Sequence, residues 1–514
     1  LDNNKFDLLV EKQWKDSSNQ DGLRNLISEI KLELQSSVKS GDSYGEYTSV
    51  KQASISAADI TGEWTYSFND LDKYAYGELI RYKVIETVTY SRDADKYTQK
   101  YTTLYNGKEV NESYITGEGE SPTLVITNRY QPETIEVSVT KNWEDDNDSA
   151  GFRKKISQIT LNLKKSVWDT TEKAYTAASV IQTINITGDD ITKNWSKSWK
   201  SLNKYENGQL VKYSVEEVIA YQDELSNIYS TEISPETING DSNNKNFTIT
   251  NSYTPETISV RATKKWDDEN NKDGLRNKIE KITLTLQKSV APYNGFTDVE
   301  TGEVCEIFPN SDGSYTDSDN WKTWTGLPKY ANGKLIQYRV KEDITYTSGE
   351  TRKYTQTYNE TSLEASNVTG DKGNVATVDI KNSQKPETIS VRVSKTWNDD
   401  EDRDGLRKHI ASIKFELQSR DKSTNGTAAN GWTIQENKIY DFTGDTPNYN
   451  INEFSWDGLS KYKGGILQEY RVVETVTYKD DTKESQKYDS PEYQNNLISE
   501  KSGTVVITNT HIPE

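Results

Sequence analysis

Val137-Ser138-Val139-Thr140-Lys141-Asn142-Trp143 alternates large apolar residues with polar ones, and a period of two marks a strand with one buried face. Val137, Val139, Lys141 and Trp143 share a face, so a lysine stands on the apolar side. The pattern returns at Leu8, Val10, Lys12 and Trp14, at Val260, Ala262, Lys264 and Trp266, and at Val391, Val393, Lys395 and Trp397, about every 130 residues. A repeat of that length predicts four homologous domains, because 514 residues are too many for a single core.

Two further motifs follow the same period. Tyr-x-Val-x-Glu begins at Tyr82, Tyr213, Tyr338 and Tyr470, after glycine turns such as Asn207-Gly208 and Asn332-Gly333 that suit hairpins. A last strand ends in Asn at Val125-Ile126-Thr127-Asn128, Thr248-Ile249-Thr250-Asn251, Asp379-Ile380-Lys381-Asn382 and Val506-Ile507-Thr508-Asn509. Pro132, Pro255, Pro386 and Pro513 follow shortly, and the next Lys-bearing strand starts almost at once, too soon for a flexible linker. Boundaries just after these prolines give domains 1–132, 133–255, 256–386 and 387–514. With 12 Trp, 32 Tyr and long runs of Val, Ile and Thr, the expected class is all-β.

Composition excludes several functions. Cys305 is the sole cysteine, so no intrachain disulfide or Cys-based metal site can form. His409 and His511 are the only imidazoles, which argues against histidine catalysis and His-ligated metals. A net charge of −19 with no basic patch argues against nucleic acid. No stretch reaches the roughly eighteen apolar residues of a membrane helix, so no membrane insertion is expected. Leu1 does not open a signal peptide, and the sequence is expected to be an internal segment.

Strand parity extends to the other motifs. Glu86 aligns with Tyr82, Val84 and Val88, and Glu217 with Tyr213, Val215 and Ile219; Glu342 and Glu474 repeat the arrangement. Asn128 aligns with Leu124 and Ile126, Asn251 with Phe247 and Ile249, Asn382 with Val378 and Ile380, and Asn509 with Ile507. Each domain is therefore expected to bury a Lys, a Glu and an Asn, and burying unpaired ions costs several kcal/mol. One chemistry accounts for all three. Burial lowers the lysine pKa and frees a neutral amine, the Glu carries a proton, and the amine displaces ammonia from the Asn carboxamide. A buried Lys–Glu ion pair with a hydrogen-bonded Asn would use the same residues without a bond, and a β-bulge could shift parity.

At these residues the sequence resembles the Cna B-type domains of Gram-positive surface adhesins and pilins, in phrases such as Lys264-Lys265-Trp266-Asp267-Asp268 leading to Asp273-Gly274-Leu275-Arg276. The resemblance spans all four repeats, with Lys381-Asn382 replacing Thr-Asn in the third. It implies tandem Ig-like or prealbumin-like β-sandwiches arranged as an elongated rod. It also implies intramolecular isopeptide bonds Lys12–Asn128, Lys141–Asn251, Lys264–Asn382 and Lys395–Asn509, catalysed by Glu86, Glu217, Glu342 and Glu474. The domains look longer than typical members, and segments such as Ala291 to Asn320 are expected to be loop or hairpin insertions.

No cofactor is expected, although Glu269-x-Asn271-x-Asp273-Gly274 with Glu280 nearly matches a calcium loop. The other repeats offer Ser28, Ser157 and Ala411 at the last position, and Asx turns explain the loop equally well. Most Trp fall at repeated strand positions and suit a core; Trp168, Trp195 and Trp432 are less regular and leave a glycan platform open. No carboxylate pair stands apart as a glycosidase centre. The expected function is a cell-wall-attached extracellular stalk, not an enzyme beyond its own cross-linking, projecting an adhesive head that lies outside this segment. Its partners would be neighbouring repeats and, through that head, host matrix or glycan; the alternative is an adhesin whose repeats themselves bind host protein or glycan.

Overall fold

The computed structural model describes residues 4–119, 121–299, 304–312, 314–370, 375–423 and 431–512, so Pro513 lies outside the described residues. Two compact units, Leu1–Thr254 and Pro255–Glu514, each hold two β-sandwich domains.

In every domain the lysine-bearing strand is central to a four-stranded sheet among the described residues. These strands are Lys5–Lys15, Thr134–Glu144, Thr257–Asp267 and Thr388–Asn398. Each pairs in parallel with the strand that ends its domain: Thr123–Arg129, Asn246–Ser252, Val375–Ser383 or Gly503–Thr510. The register is constant, with Trp14 opposite Asn128, Trp143 opposite Asn251, Trp266 opposite Asn382 and Trp397 opposite Asn509. A flanking strand closes the outer side of the Asn strand at Thr102–Tyr105, Ser230–Ser234, Thr355–Tyr358 and Glu492–Gln494.

The facing sheet carries the glutamate strand: Glu78–Tyr90, Lys212–Tyr221, Lys334–Tyr346 or Ile466–Tyr478. Each is entered through a two-residue turn, Tyr76-Gly77, Asn207-Gly208, Asn332-Gly333 or Gly464-Gly465, and positive φ at both positions gives the turn a twist that matches its strands. Apolar residues from both sheets interdigitate; in the first domain Leu8, Val10, Leu32, Leu34, Val84, Leu124 and Ile126 are fully buried.

Alternation in the Lys strands is as the sequence predicts, with each Lys buried and each Trp half-buried on the same side. The expected insertion in the third domain forms short strands, Thr297–Asp298 and Cys305–Ile307, paired to Ile279–Val290. Cys305 packs against that domain's core. Among the described residues no helix is long and apolar enough to cross a membrane.

Junctions inside each unit are fixed by side chains. In the first unit Asp21 accepts hydrogen bonds from Tyr130 Oη at 2.8 Å and the Glu133 amide at 2.9 Å. In the second, Asp273 accepts from the Glu387 amide at 2.8 Å and Gln384 Nε2 at 3.1 Å. The following glycine is left-handed in both, and Gly22 against Gly208, like Gly274 against Gly464 and Gly465, leaves no room for a Cβ.

Candidate functional site

Because Lys and Asn lie on adjacent parallel strands and Glu on the facing sheet, their side chains converge inside each sandwich. Lys12 Nζ donates to Glu86 Oε2 at 2.5 Å, and Lys264 Nζ to Glu342 Oε2 at 2.5 Å, with all four side chains fully buried. Lys141 Nζ touches both Glu217 and Asn251 Oδ1, while Asn251 Nδ2 donates to Glu217 Oε2 at 2.7 Å. In the fourth domain the Asn stands between its partners: Lys395 Nζ donates to Asn509 Oδ1 at 2.7 Å, and Asn509 Nδ2 donates to Glu474 Oε1 at 2.7 Å. Lys395 and Glu474 are then 3.8 Å apart. All twelve residues singled out in the sequence therefore sit in the cores of their own domains, and Asn128, Asn251, Asn382 and Asn509 have no exposed surface.

Electrostatics follow from burial. Desolvation drives the Lys12, Lys141, Lys264 and Lys395 ammonium groups down to about 8, and the nearby Glu86, Glu217, Glu342 or Glu474 carboxylate only partly resists. Burial likewise raises the Glu474 carboxyl. Among the described residues neither Asn382 Oδ1 nor Nδ2 in the third domain has a hydrogen-bond partner, and in the first Asn128 Oδ1 has none. Buried carboxamide atoms normally find partners.

A second recurring cluster escaped the sequence reading. Asp16, Asp145, Asp268 and Asp399 each grip an Arg eight residues on, Arg24, Arg153, Arg276 or Arg407, through both carboxylate oxygens. Tyr101, Tyr229, Tyr354 and Tyr488 donate to the same carboxylates. The guanidinium lies over the Lys-strand Trp, 5.0 Å from the ring centroid of Trp14, Trp143 and Trp397 and 5.1 Å from Trp266. That ring also faces the lysine, whose Nζ is 4.0–4.7 Å away. Each Trp thus stands between the buried amine and an Asp–Arg–Tyr clasp whose carboxylate is itself buried. The paired signal, Asp two residues after Trp and Arg eight after Asp, was present in the sequence.

Several groups of the calcium-like loop bond within the loop and its flank. Asn271 Oδ1 accepts from the Arg276 amide at 2.9 Å, its Nδ2 donates to Asn277 at 3.0 Å, and Lys272 takes Glu269 at 3.0 Å. Glu280 points to solvent from a strand. Trp195 is buried, Trp168 meets Tyr175 edge-on, and Trp432 lies 4.4 Å from both Arg420 and Arg471.

Fold and site define a class: tandem β-sandwiches, each with a Lys–Glu–Asn centre sealed in its core. The sequence profile of the Cna protein B-type domain matches residues 8–113, 137–252, 260–369 and 391–510, and the chain belongs to that family. The collagen adhesin of Staphylococcus aureus is 28% identical over 512 residues, covering 98% of this chain and 31% of the adhesin. A crystal structure of two B repeat units of the collagen binding protein of Staphylococcus aureus is 25% identical, covers 99% of this chain and 100% of that one, and superposes with a TM-score of 0.27. The major pilin of Streptococcus pyogenes is 15% identical, covering 49% of this chain and 99% of the pilin, with a TM-score of 0.20.

Proposed function

We propose that this chain is the stalk of a Gram-positive cell-surface protein, and that each domain locks itself with a Lys–Asn isopeptide bond. The supporting observation is the same in all four cores: a lysine with no exposed side chain, its pKa lowered to about 8, meeting a buried Glu beside a buried Asn. The neutral Nζ attacks Asn Cγ and the carboxyl group takes the proton Nζ gives up. The C–Nδ2 bond breaks and Nδ2 leaves as ammonia, so amine plus carboxamide become a secondary amide plus NH3. The product carries no buried charge, which removes the desolvation cost that held the reactants apart from their ordinary states. Glu86, Glu217, Glu342 and Glu474 are the catalytic residues and Lys12–Asn128, Lys141–Asn251, Lys264–Asn382 and Lys395–Asn509 the bonds. Cross-linking is the protein's only chemistry, and it needs no cofactor or calcium.

Mechanics give the bond its purpose. The chain enters each domain on the Lys strand and leaves it on the neighbouring Asn strand, so a cross-link between them carries tension past the rest of the sandwich. We place the segment outside the cell, attached to the wall through other parts of the protein and holding out an adhesive head that engages host matrix or glycan. The domain boundaries after Pro132, Pro255 and Pro386 belong to the same proposal. Single-molecule stretching tests it. Bonded domains add no unfolding length, whereas an unbonded domain releases its hundred-odd residues as roughly 35–40 nm of chain. Four such releases per molecule, or direct binding of these repeats to host ligands without mechanical resistance, would contradict the stalk.

A further inference from the structure

The cross-linking reaction needs a route for a proton to the departing Asn nitrogen, and the four domains hold that nitrogen differently. Opposite Asn128, Asn251 and Asn382 on the flanking strand stand Thr103, Thr231 and Gln356. In the fourth domain Pro491 precedes the flanking strand Glu492–Gln494, and Asn509 Nδ2 reaches Glu474 Oε1 directly at 2.7 Å. The second domain has both arrangements: Asn251 Nδ2 donates to Glu217 Oε2 at 2.7 Å and to Thr231 Oγ1 at 2.8 Å, and Thr231 Oγ1 donates to Glu217 Oε2 at 3.3 Å. In the first domain the hydroxyl is the bridge. Asn128 Nδ2 donates to Thr103 Oγ1 at 3.2 Å, Thr103 Oγ1 donates to Glu86 Oε1 at 3.2 Å, and no hydrogen bond joins Asn128 to Glu86 among the described residues. Glu86 meanwhile takes Lys12 on its other oxygen, Oε2.

We infer that Thr103 is a catalytic residue of the first domain, a hydroxyl relay that passes the proton from Glu86 to the leaving nitrogen of Asn128. This rests on the bond-forming reading above. Once Lys12 Nζ has added to Cγ, Nδ2 becomes an amine with a free lone pair, and the Thr103 hydroxyl turns to donate to it. The proton that the Lys12 ammonium has given to Glu86 moves from Oε1 to Thr103 Oγ1 as the Thr103 proton moves to Nδ2. Ammonia departs with the C–N electron pair, and Oε2 takes the next proton from Nζ. The ammonium and carboxylate of the starting pair have become an amide and a carboxylic acid, Thr103 is unchanged, and one NH3 is released. Gln356 has no hydroxyl to do this; its Nε2 donates to Glu342 Oε1 at 2.8 Å.

The test follows the cross-linked peptide of each domain by mass after the full, unreacted chain is diluted from denaturant. Thr103→Val should slow the first-domain bond about a hundredfold or more, the lower end of what a positioned proton donor contributes, while the other three domains keep their wild-type rates as internal clocks. Thr103→Ser should restore the rate. Hydrogen exchange over Thr102–Tyr105 and Thr123–Arg129 reports whether the variant domain is folded, with Thr103→Ala as a second hydroxyl-free variant. A folded Thr103→Val chain reacting at the wild-type rate, Thr103→Ser as slow as Thr103→Val, or both hydroxyl-free variants failing to fold would overturn the relay. Bonds absent from every domain of the wild type would refute the bond-forming reading instead.

Discussion

Asn251→Ala removes the electrophile of the second domain while leaving Lys141 and Glu217 paired. Lys141 and Asn251 are 110 residues apart in sequence, and opening a closed loop of that length returns about 5 kcal/mol of chain entropy to the unfolded state. Without a cross-link, Asn251→Ala would remove only the hydrogen bonds that Nδ2 donates, to Glu217 at 2.7 Å and Thr231 at 2.8 Å, worth about 1–2 kcal/mol together. The two outcomes are separable because the covalent loss is several times larger. For a domain of this size the covalent loss lowers Tm by roughly 20 °C. Calorimetry of the full chain should show one transition moving down by that amount, with urea unfolding confirming the free energy. A loss of only 1–2 kcal/mol would mean that Lys141 and Asn251 are hydrogen-bonded neighbours and nothing more.

Bond formation should accelerate with pH. With Nζ at about 8, about 9% of each lysine is neutral at pH 7 against about 0.03% for an ordinary lysine, so the rate after refolding should rise about tenfold per unit up to pH 8 and then flatten; a rate indifferent to pH would exclude the neutral amine as nucleophile. At the Asp–Arg–Tyr clasps, burial pushes Asp16, Asp145, Asp268 and Asp399 up but hydrogen bonds from Arg and Tyr outweigh it and hold them below 3.8. Their stabilisation is therefore present above about pH 4 and lost as pH falls through the lowered values; Asp268→Asn should cost the third domain about 2–3 kcal/mol in urea unfolding at pH 7 and blunt its acid sensitivity. Chelation with EDTA should move no transition by more than about 1 °C, and a concentration-dependent rise in Tm with added calcium would restore the metal loop as a binding site.

Most of the site was legible because strand alternation has a rigid period. Lys141 on the side of Val137 and Val139 had to enter the core, and the same parity delivered Glu217 and Asn251 from strands remote in sequence. Thr103 and Thr231 were not legible, since the flanking strands are short and adjoin irregular loops, and only the pairing register brings these residues opposite the Asn. The clasp was half legible: Asp and Arg keep a fixed separation, but Tyr101, Tyr229, Tyr354 and Tyr488 arrive from loops of different length. The near-match to a calcium loop is ambiguous for another reason. Asx-rich spacing suits an ion or a set of backbone turns, and Asn271 bonds to Arg276 and Asn277 as an Asx turn would.

The most direct measurement is the intact mass of the folded, purified chain. Four bonds expel four ammonia molecules, so the account predicts a mass about 68 Da below that of the sequence, falling to a deficit of about 51 Da in Asn251→Ala once the substitution itself is allowed for. A chain at its full sequence mass would contradict the central claim and leave four buried Lys–Glu pairs in its place.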